Sequence, residues 1–276
     1  MAEAFTEYQE VGVTDPLRQG DVLEAVDAAT SMWQRHLLII TADCDFAHAK
    51  HQGRVTCVPL LTADEYLTEM QVPKIRERLV KKRLVAIRAT LSRAGAPGIS
   101  DQRLREWASE EPPATIIMRL GLEGPTAQQA RADFEAIRMI DAPVSNLKES
   151  IDSLVEAQLL GKGHPKRENA LKSVMSPLQD AYVRPPGDAL FLASIARKLD
   201  SGYFAYLRHL EQVWEPEISI GQRRIEAKYR RISRIRDRFT HALVQRFAMV
   251  FMSIGLPREY EDLRDLYSEL LGDDFK

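Results

Sequence analysis

The sequence is poor in cysteine: the 276-residue chain has only Cys44 and Cys57, which lie in one short region. Two thiols so placed cannot form a disulfide framework, so secretion is not indicated. Apolar runs stay well short of the roughly 20 residues that a membrane helix needs. Residues 1–10 are acidic and lack the basic and apolar regions of a signal peptide. We therefore expect a cytoplasmic protein without membrane association.

An excess of charge of either sign is also lacking. The chain has 38 Lys and Arg residues against 40 Asp and Glu residues, a formal net charge of -2. This total does not draw the chain toward nucleic acid or a membrane surface, so any such binding must come from a local patch. The hydrophobic fraction of 45% can fill a sizeable core, which excludes disorder over the whole chain.

Several sequence motifs that carry chemistry are absent. The sequence contains no glycine-rich phosphate loop, no paired CxxC, no HExxH and no GxSxG. It also contains no internal repeat and no low-complexity tract. We therefore expect no cofactor, and candidate functional residues have to be sought in smaller clusters.

Short strands near the N-terminus are predicted to precede a mostly helical remainder. Turn glycines and β-branched runs predict strands at 18–23, 36–41 and 54–61. From Ala63 onward apolar residues recur at helical spacing, and Pro73 is predicted to break this helix. Thr126 is predicted to cap a later helix, and a further helix is predicted over 145–160.

Strand signals return in the second half of the chain. The Gly, Pro, Lys and Ser content of 161–186 predicts a long loop or linker. Strands are predicted after it at 189–192, 203–207 and 217–221, although periodicity alone also permits helices over the first two. A long helix is predicted over 222–254 and a short amphipathic helix over 259–271.

Four short pieces of the sequence occur in a characteristic order. They are Gly20-Asp21-Val22, Arg35 before His36-Leu37-Leu38-Ile39-Ile40, Val58-Pro59-Leu60-Leu61-Thr62, and Leu210-Glu211-Gln212-Val213. In residue type and order they resemble the MazF/PemK-like toxins, whose fold is a small SH3-like β-barrel. The resemblance implies an α+β fold in which such a barrel is interrupted by a long helical insertion and followed by a C-terminal helical tail. The barrel would comprise 1–62 and 187–221, the insertion 63–186, and the C-terminal helical region 222–276.

The same resemblance implies metal-independent cleavage of single-stranded RNA, with the RNA 2′-hydroxyl as nucleophile. The family's catalytic arginine would correspond to Arg35 and its hydroxyl residue to Thr62. A guanidinium suits this role because it is always charged and can hold a phosphate bidentately while negative charge builds on the oxygens. The chain departs from the family pattern at His36, where proline is common, and over 27–33, where a glycine-containing loop is replaced. Taken alone, Arg35 is also typical of a solvated strand start and Thr62 of a helix N-cap.

The strongest basic patch lies within 222–238. Its candidate nucleic-acid-binding residues are Arg223, Arg224, Lys228, Arg230, Arg231 and Arg234. On the predicted helix, Arg223, Arg230 and Arg234 share one side and could follow a phosphate backbone. An arginine-rich face is also typical of a solvated surface or of pairing with acidic residues elsewhere in the fold.

The segment 43–51 gathers a thiol, two carboxylates and two imidazoles. Cys44, His48 and His51 are weak metal-ligand candidates, because a zinc site would need a fourth ligand such as Cys57. We therefore assign no metal. A Cys/His nucleophile pair would need a lowered thiol pKa and a base within reach. The structural interpretation is a small buried Cys44 at a strand end, followed by loop histidines.

Two functions are consistent with these features. The first is a metal-independent endoribonuclease that acts on single-stranded RNA. The alternative is a non-catalytic nucleic-acid or protein binding module in a bacterial stress or phage-defence system, which is family-level analogy. The expected partner is RNA or another protein, and a homodimer is left open.

Overall fold

The chain is mixed α/β, with a curled antiparallel half-barrel sheet and a large group of helices. The computed structural model describes residues 5–95, 98–161, 163–221, 226–252 and 258–273. Within these ranges no helix is long and apolar enough to cross a bilayer.

Nine strands within the described residues form the sheet. They are β1 (Tyr8–Gln9), β2 (Asp21–Ala25), β3 (His36–Ile39), β4 (Arg54–Thr62), β5 (Ala189–Leu192), β6 (Tyr203–Tyr206), β7 (Glu211–Trp214), β8 (Ile218–Ser219) and β9 (Tyr229–Ile235). Their order is β1-β9-β2-β3-β4-β6-β5, with β7 paired to β4 and β8 paired to β9. Of these pairs, only β8–β9 is parallel.

Most of the predicted strands are confirmed. The predictions at 18–23, 36–41, 54–61 and 217–221 correspond to β2, β3, β4 and β8. The runs at 189–192 and 203–207 are strands β5 and β6, so the helical alternative for them is wrong. The late strands join the early ones at β4, which pairs with β3 and β7 and also, at its end, with β6.

The apolar run of β4 is explained by burial on both faces of the strand. Val58 and Leu60 belong to one core cluster, which also contains residues of β5, β6 and the helix after β9. Val55 and Cys57 point to the other face and join a second cluster with β7. A strand that is covered on both sides reads as a near-continuous hydrophobic run.

Helices occupy the chain between β4 and β5. They are α3 (Ala63–Tyr66), a π-helical segment (Leu67–Gln71), α4 (Val72–Arg93), α5 (Asp101–Glu110), α6 (Pro113–Arg119), α7 (Gly124–Asp141), α8 (Leu147–Leu159) and α9 (Arg167–Val183). Pro73 lies in the first turn of α4, directly after the π-helical segment, and the helical backbone continues from Ala63 to Arg93, so the predicted break is wrong. Thr126 lies inside α7, which begins at Gly124.

The predicted helix over 145–160 is confirmed as α8, whose N-cap Asn146 accepts a hydrogen bond from the Glu149 amide at 2.9 Å. The predicted loop over 161–186 is wrong, since α9 fills most of it. One face of α9 carries buried small and aliphatic residues at helical spacing, namely Ala170, Val174, Leu178 and Ala181. The Gly and Pro residues that suggested a loop lie mainly at the two ends of this segment.

The C-terminal region differs most from the prediction. The helix predicted from residue 222 is wrong, because Tyr229–Ile235 forms β9 between β1 and β2. The helix α10 (Asp237–Met252) starts only after this strand, and α11 (Arg258–Asp273) agrees with the amphipathic helix predicted over 259–271. Two short helices, α1 (Met32–Arg35) and α2 (Asp43–Ala47), connect the early strands.

The helices meet the sheet at the end of β4 and along β6. The ring of Tyr66 in α3 stacks on Phe204 in β6, with centroids 4.1 Å apart. Both residues belong to the main helical core cluster, together with Leu61. The end of β4 is therefore fixed by helices on one side and by strands on the other, and this is where the predicted catalytic residue Thr62 lies.

Candidate active site

Three ionisable side chains form a row across the neighbouring strands β3, β2 and β9. Glu24 is directly opposite His36 on one side and directly opposite Arg230 on the other. Residues that face each other in antiparallel strands project to the same face of the sheet. The row therefore lies on a single face of the sheet, two residues along β2 and β3 from the buried pair Val22 and Leu38.

This row lines a cavity of about 830 Å³. The residues 24–28 at the end of β2 form one wall, and Arg35 and His36 at the start of β3 form another. Leu199, Ser219, Gly221 and Ala227 complete the described lining. A volume of this size is within the range of small-ligand sites, roughly 300–1,000 Å³.

The short helix α1 sets the position of Arg35, its last residue. Trp33 in α1 stacks on His209 with ring centroids 4.9 Å apart and also packs against Tyr206. An aromatic side chain packed in this way fixes the direction of a one-turn helix that has too few internal hydrogen bonds to be stable alone. Part of the altered segment 27–33 therefore serves to anchor α1.

Arg35 and Thr62 belong to one hydrogen-bond network through Glu65. The Nη2 group of Arg35 donates to Glu65 Oε1 at 2.6 Å and to Oε2 at 2.8 Å. Glu65 Oε2 also accepts from the Thr62 amide at 2.9 Å, and Thr62 Oγ1 accepts from the Glu65 amide at 3.4 Å. This reciprocal pair is a capping box at the start of α3. The N-cap interpretation of Thr62 is confirmed.

The network keeps Glu65 charged. Burial favours the neutral acid, but hydrogen bonds from Arg35 and Thr62 outweigh it and lower the pKa of Glu65. Arg35 lines the cavity, whereas Thr62 is not among the described residues that line it. Thr62 therefore acts on the cavity only through Glu65 and Arg35.

Arg35 keeps hydrogen-bonding capacity beyond Glu65. Its side chain is 33% exposed, so it is half-covered rather than fully solvated. Within the described ranges, Nη2 is the one side-chain nitrogen of Arg35 that has a hydrogen-bond partner. Nε and Nη1 can therefore donate to an anion, and charge-assisted bonds of this kind are stronger than neutral ones.

His36 is a buried imidazole without a hydrogen bond. It is 6% exposed, and neither ring nitrogen has a partner among the described residues. Its Nε2 lies 3.6 Å from Glu24 Oε1, which is longer than an ordinary hydrogen bond. The ring of Tyr203 meets it edge-on, with centroids 5.9 Å apart. Burial, followed by the positive charge of Arg35, lowers the pKa of His36, so the ring is neutral at neutral pH.

The helical arrangement predicted for the candidate nucleic-acid-binding residues is wrong, because Arg230, Arg231 and Arg234 lie in strand β9. Arg223 and Arg224 lie outside the described residues. Lys228 pairs with Glu217 at 2.6 Å, and Arg230 donates to Glu24 Oε2 at 2.6 Å through Nε. Among the described members of this set, only Arg230 lines the cavity.

The other two arginines of the set, Arg231 and Arg234, point into the protein. Arg234 Nε lies 2.6 Å from Oδ1 of the buried Asp21, and Arg231 Nη1 lies 3.3 Å from Oδ2. A register shift between Val22 and Leu23 of β2 turns these two residues, three apart in β9, toward the same carboxylate. Both guanidiniums also donate to the Pro16 carbonyl, so they fix the N-terminal segment to the sheet.

The cysteine and histidine cluster is dispersed. His51 uses both ring nitrogens, one with Glu215 Oε2 at 2.8 Å and one with the Asp45 carbonyl at 3.1 Å. His48 is exposed at the end of α2. In the part of the chain that the structure describes, no group of three or more His, Cys, Asp or Glu side chains is placed to hold a metal ion.

The two thiols differ in their exposure to solvent. Cys44 is exposed in α2, so the expectation that it is buried is wrong. Cys57 is fully buried in β4, and burial raises the pKa of its thiol. A thiol that stays protonated is a poor nucleophile.

Sequence reasoning missed Glu24 and treated His36 only as a departure from a family pattern. One signal was present: Glu24 follows Val22 on the face of β2 that carries apolar residues, where an acid needs a partner. Its two partners emerge only from strand register.

No family model, no curated protein and no solved structure matches this chain.

Proposed function

We propose that the protein is a MazF/PemK-like endoribonuclease that cleaves single-stranded RNA without a metal, and that Arg35 binds the scissile phosphate. The observation that carries the proposal is the position of Arg35. Its Nε and Nη1 groups lack partners among the described residues while its side chain lines a cavity large enough for part of a nucleotide chain.

The proposal includes an SH3-like barrel that contains a helical insertion. The helices α3 to α9 lie in sequence between β4 and β5, while β4 pairs with β6, and β6 with β5. Such an arrangement fits a sheet whose neighbouring strands are separated in sequence by an inserted helical unit. The proposed barrel also includes β9, which extends its C-terminal limit beyond 187–221.

The chemistry needs only groups of the chain, the substrate and water. The RNA 2′-oxygen attacks phosphorus and the 5′-oxygen leaves, which gives a 2′,3′-cyclic phosphate and a 5′-hydroxyl. Negative charge on the phosphoryl oxygens is stabilised by Arg35, whose guanidinium is already oriented by Glu65. Thr62 is a positioning residue in this scheme, because its capping box holds Glu65.

A non-catalytic RNA or protein binding module in a bacterial stress or phage-defence system is the second candidate. One observation favours it: Glu65 already neutralises Arg35, which limits the charge available to a transition state. A binding module would retain RNA in a salt-sensitive manner without cutting it.

The test is incubation of end-labelled single-stranded RNA with purified protein in the presence of EDTA. We expect fragments that end in 2′,3′-cyclic phosphate, and we expect Arg35→Ala to abolish them while the protein stays folded. Arg208→Ala is the matched control, since it removes an exposed arginine of the same sheet region that does not line the cavity. Intact RNA with the wild-type protein would overturn the endoribonuclease, and RNA retention without cleavage would support the binding module.

A further inference from the structure

His36 combines two properties that a purely structural histidine does not need. It is more than nine-tenths buried without a hydrogen bond among the described residues, and it lines a cavity. Buried polar groups are nearly always paired, because an unpaired group loses its hydrogen bonds to water without a replacement. Both ring nitrogens are covered in this structure, so a hydroxyl group of a ligand in the cavity would supply the missing partner after a local side-chain movement.

The charged and titratable groups around His36 lie on β2, β9, α1, α3 and β6. Glu24 on β2 lies opposite it, with Arg230 on β9 behind Glu24. Arg35 precedes it in the chain, and Glu65 of α3 pairs with Arg35. Tyr203 of β6 covers one edge of the ring. Burial and Arg35 disfavour the charged ring, whereas Glu24 and, more weakly, Glu65 favour it.

The orientation of Glu24 follows from its second partner. Arg230 donates to Oε2 of Glu24, which leaves Oε1 on the side of the His36 Nε2 group, 3.6 Å away. A carboxylate at this distance stabilises an imidazolium but does not compete for a hydrogen bond with the neutral ring. Arg230 is therefore a positioning residue for Glu24.

We propose that His36 is the general base of RNA cleavage and that Glu24 stabilises the imidazolium that forms. This inference rests on the endoribonuclease activity proposed above. The proton of the 2′-hydroxyl passes to an imidazole nitrogen as the 2′-oxygen bonds to phosphorus. The bond from phosphorus to the 5′-oxygen breaks, and the 5′-oxygen takes a proton from water. The imidazolium then returns its proton to the hydroxide so produced.

Arg35 and His36 are consecutive residues on the wall of one cavity. A phosphate that Arg35 binds in this cavity therefore occupies the space that His36 also borders. Proton transfer by a well-placed base contributes about 10²- to 10⁴-fold to a rate.

The experiment measures single-turnover cleavage of RNA by the wild type and His36→Gln from acidic to mildly alkaline pH. We expect the wild-type rate to rise with pH and level off below the ordinary histidine midpoint of about 6.5. His36→Gln should lose about 100-fold or more and should lose this inflection. Glu24→Gln should move the inflection to lower pH, because it removes a charge that favours the imidazolium.

The controls distinguish a catalytic role of His36 from a folding defect and from the absence of endoribonuclease activity. His48→Gln removes an exposed histidine and should behave as the wild type. Added imidazole should restore part of the rate to His36→Ala. A nucleoside 3′-phosphate keeps the 2′-hydroxyl beside the phosphate but has no 5′-oxygen leaving group, so it should shift the ¹⁵N resonances of the wild-type His36 ring, a readout that does not require the variant to fold. A His36→Gln enzyme with the wild-type rate and inflection, or an unshifted imidazole, overturns the role of His36 alone. Intact RNA with the wild type overturns the endoribonuclease and this inference together.

Discussion

Asp21 and Arg234 form a buried ion pair in which Nε lies 2.6 Å from Oδ1. Arg231 reaches the same carboxylate, so one acid balances two guanidiniums inside the sheet. Removing the acid would leave both charges without a counterion. A buried charge that loses its partner is far more destabilising than a lost surface pair.

We therefore predict that Asp21→Ala lowers the free energy of unfolding by about 3–5 kcal/mol. Glu156→Ala is the matched control, because it removes only an exposed pair with Arg167 between α8 and α9. That change should leave the free energy of unfolding nearly unchanged. Denaturant titration measures both values, and equal losses would contradict a central role for Asp21.

Thr62 provides a prediction about both stability and activity. Thr62→Ala removes the hydrogen bond from the Glu65 amide to the Thr62 hydroxyl, so the free energy of unfolding should fall by about 0.5–2 kcal/mol. RNA cleavage should also slow, because Glu65 no longer holds Arg35 as firmly. Thr62→Ser keeps the hydroxyl and should retain both properties. Equal behaviour of the Ala and Ser variants in denaturant titration and cleavage would count against the capping network.

Acid sensitivity is expected from His36. Its pKa is lowered in the folded protein, so the unfolded chain binds more protons. Stability is then fully present above the unfolded value of about 6.5 and is lost as the pH falls below it. His36→Gln should remove this part of the pH dependence, whereas His48→Gln should keep it. Thermal unfolding across this pH range is the measurement, and unchanged acid sensitivity in His36→Gln would contradict it.

Gly20 marks the tight turn into β2. Its φ is +90°, and an added Cβ would come within 2.6 Å of Thr240 Oγ1, which is itself bonded to the Ile235 carbonyl. We predict that Gly20→Ala destabilises the protein by more than about 1 kcal/mol. Gly187→Ala, with open space around the new methyl group, should be near neutral in the same thermal unfolding assay. Similar melting temperatures for the two variants would show that the turn tolerates a side chain.

The sequence predicts strands best where both faces are buried. The apolar runs of β3 and β4 leave little alternative to a strand bounded by turns. β9 was missed because its arginines recur at spacings of three and four, which imitates a helical face. The register shift opposite β2, rather than helical periodicity, brings Arg231 and Arg234 together.

The candidate site likewise contains residues that sequence motifs predict and residues that only strand pairing brings together. Arg35 and Thr62 are visible from short motifs, and the structure joins them through Glu65, which the motifs do not include. The row of His36, Glu24 and Arg230 depends on the pairing register of three strands. Register is a tertiary property here, because Arg230 lies 206 residues beyond Glu24.

The 206-residue separation between Glu24 and Arg230 also determines when the row of side chains can form during synthesis. Non-local strand pairs form late, because the entropy of closing a long loop must be overcome before their contacts stabilise the chain. The helices α3 to α9 rely on contacts closer in sequence, so they can fold while the last strand is still on the ribosome. Glu24 acquires Arg230 only after β9 has been synthesised. The row of His36, Glu24 and Arg230 is therefore incomplete in any nascent chain that has not yet reached β9.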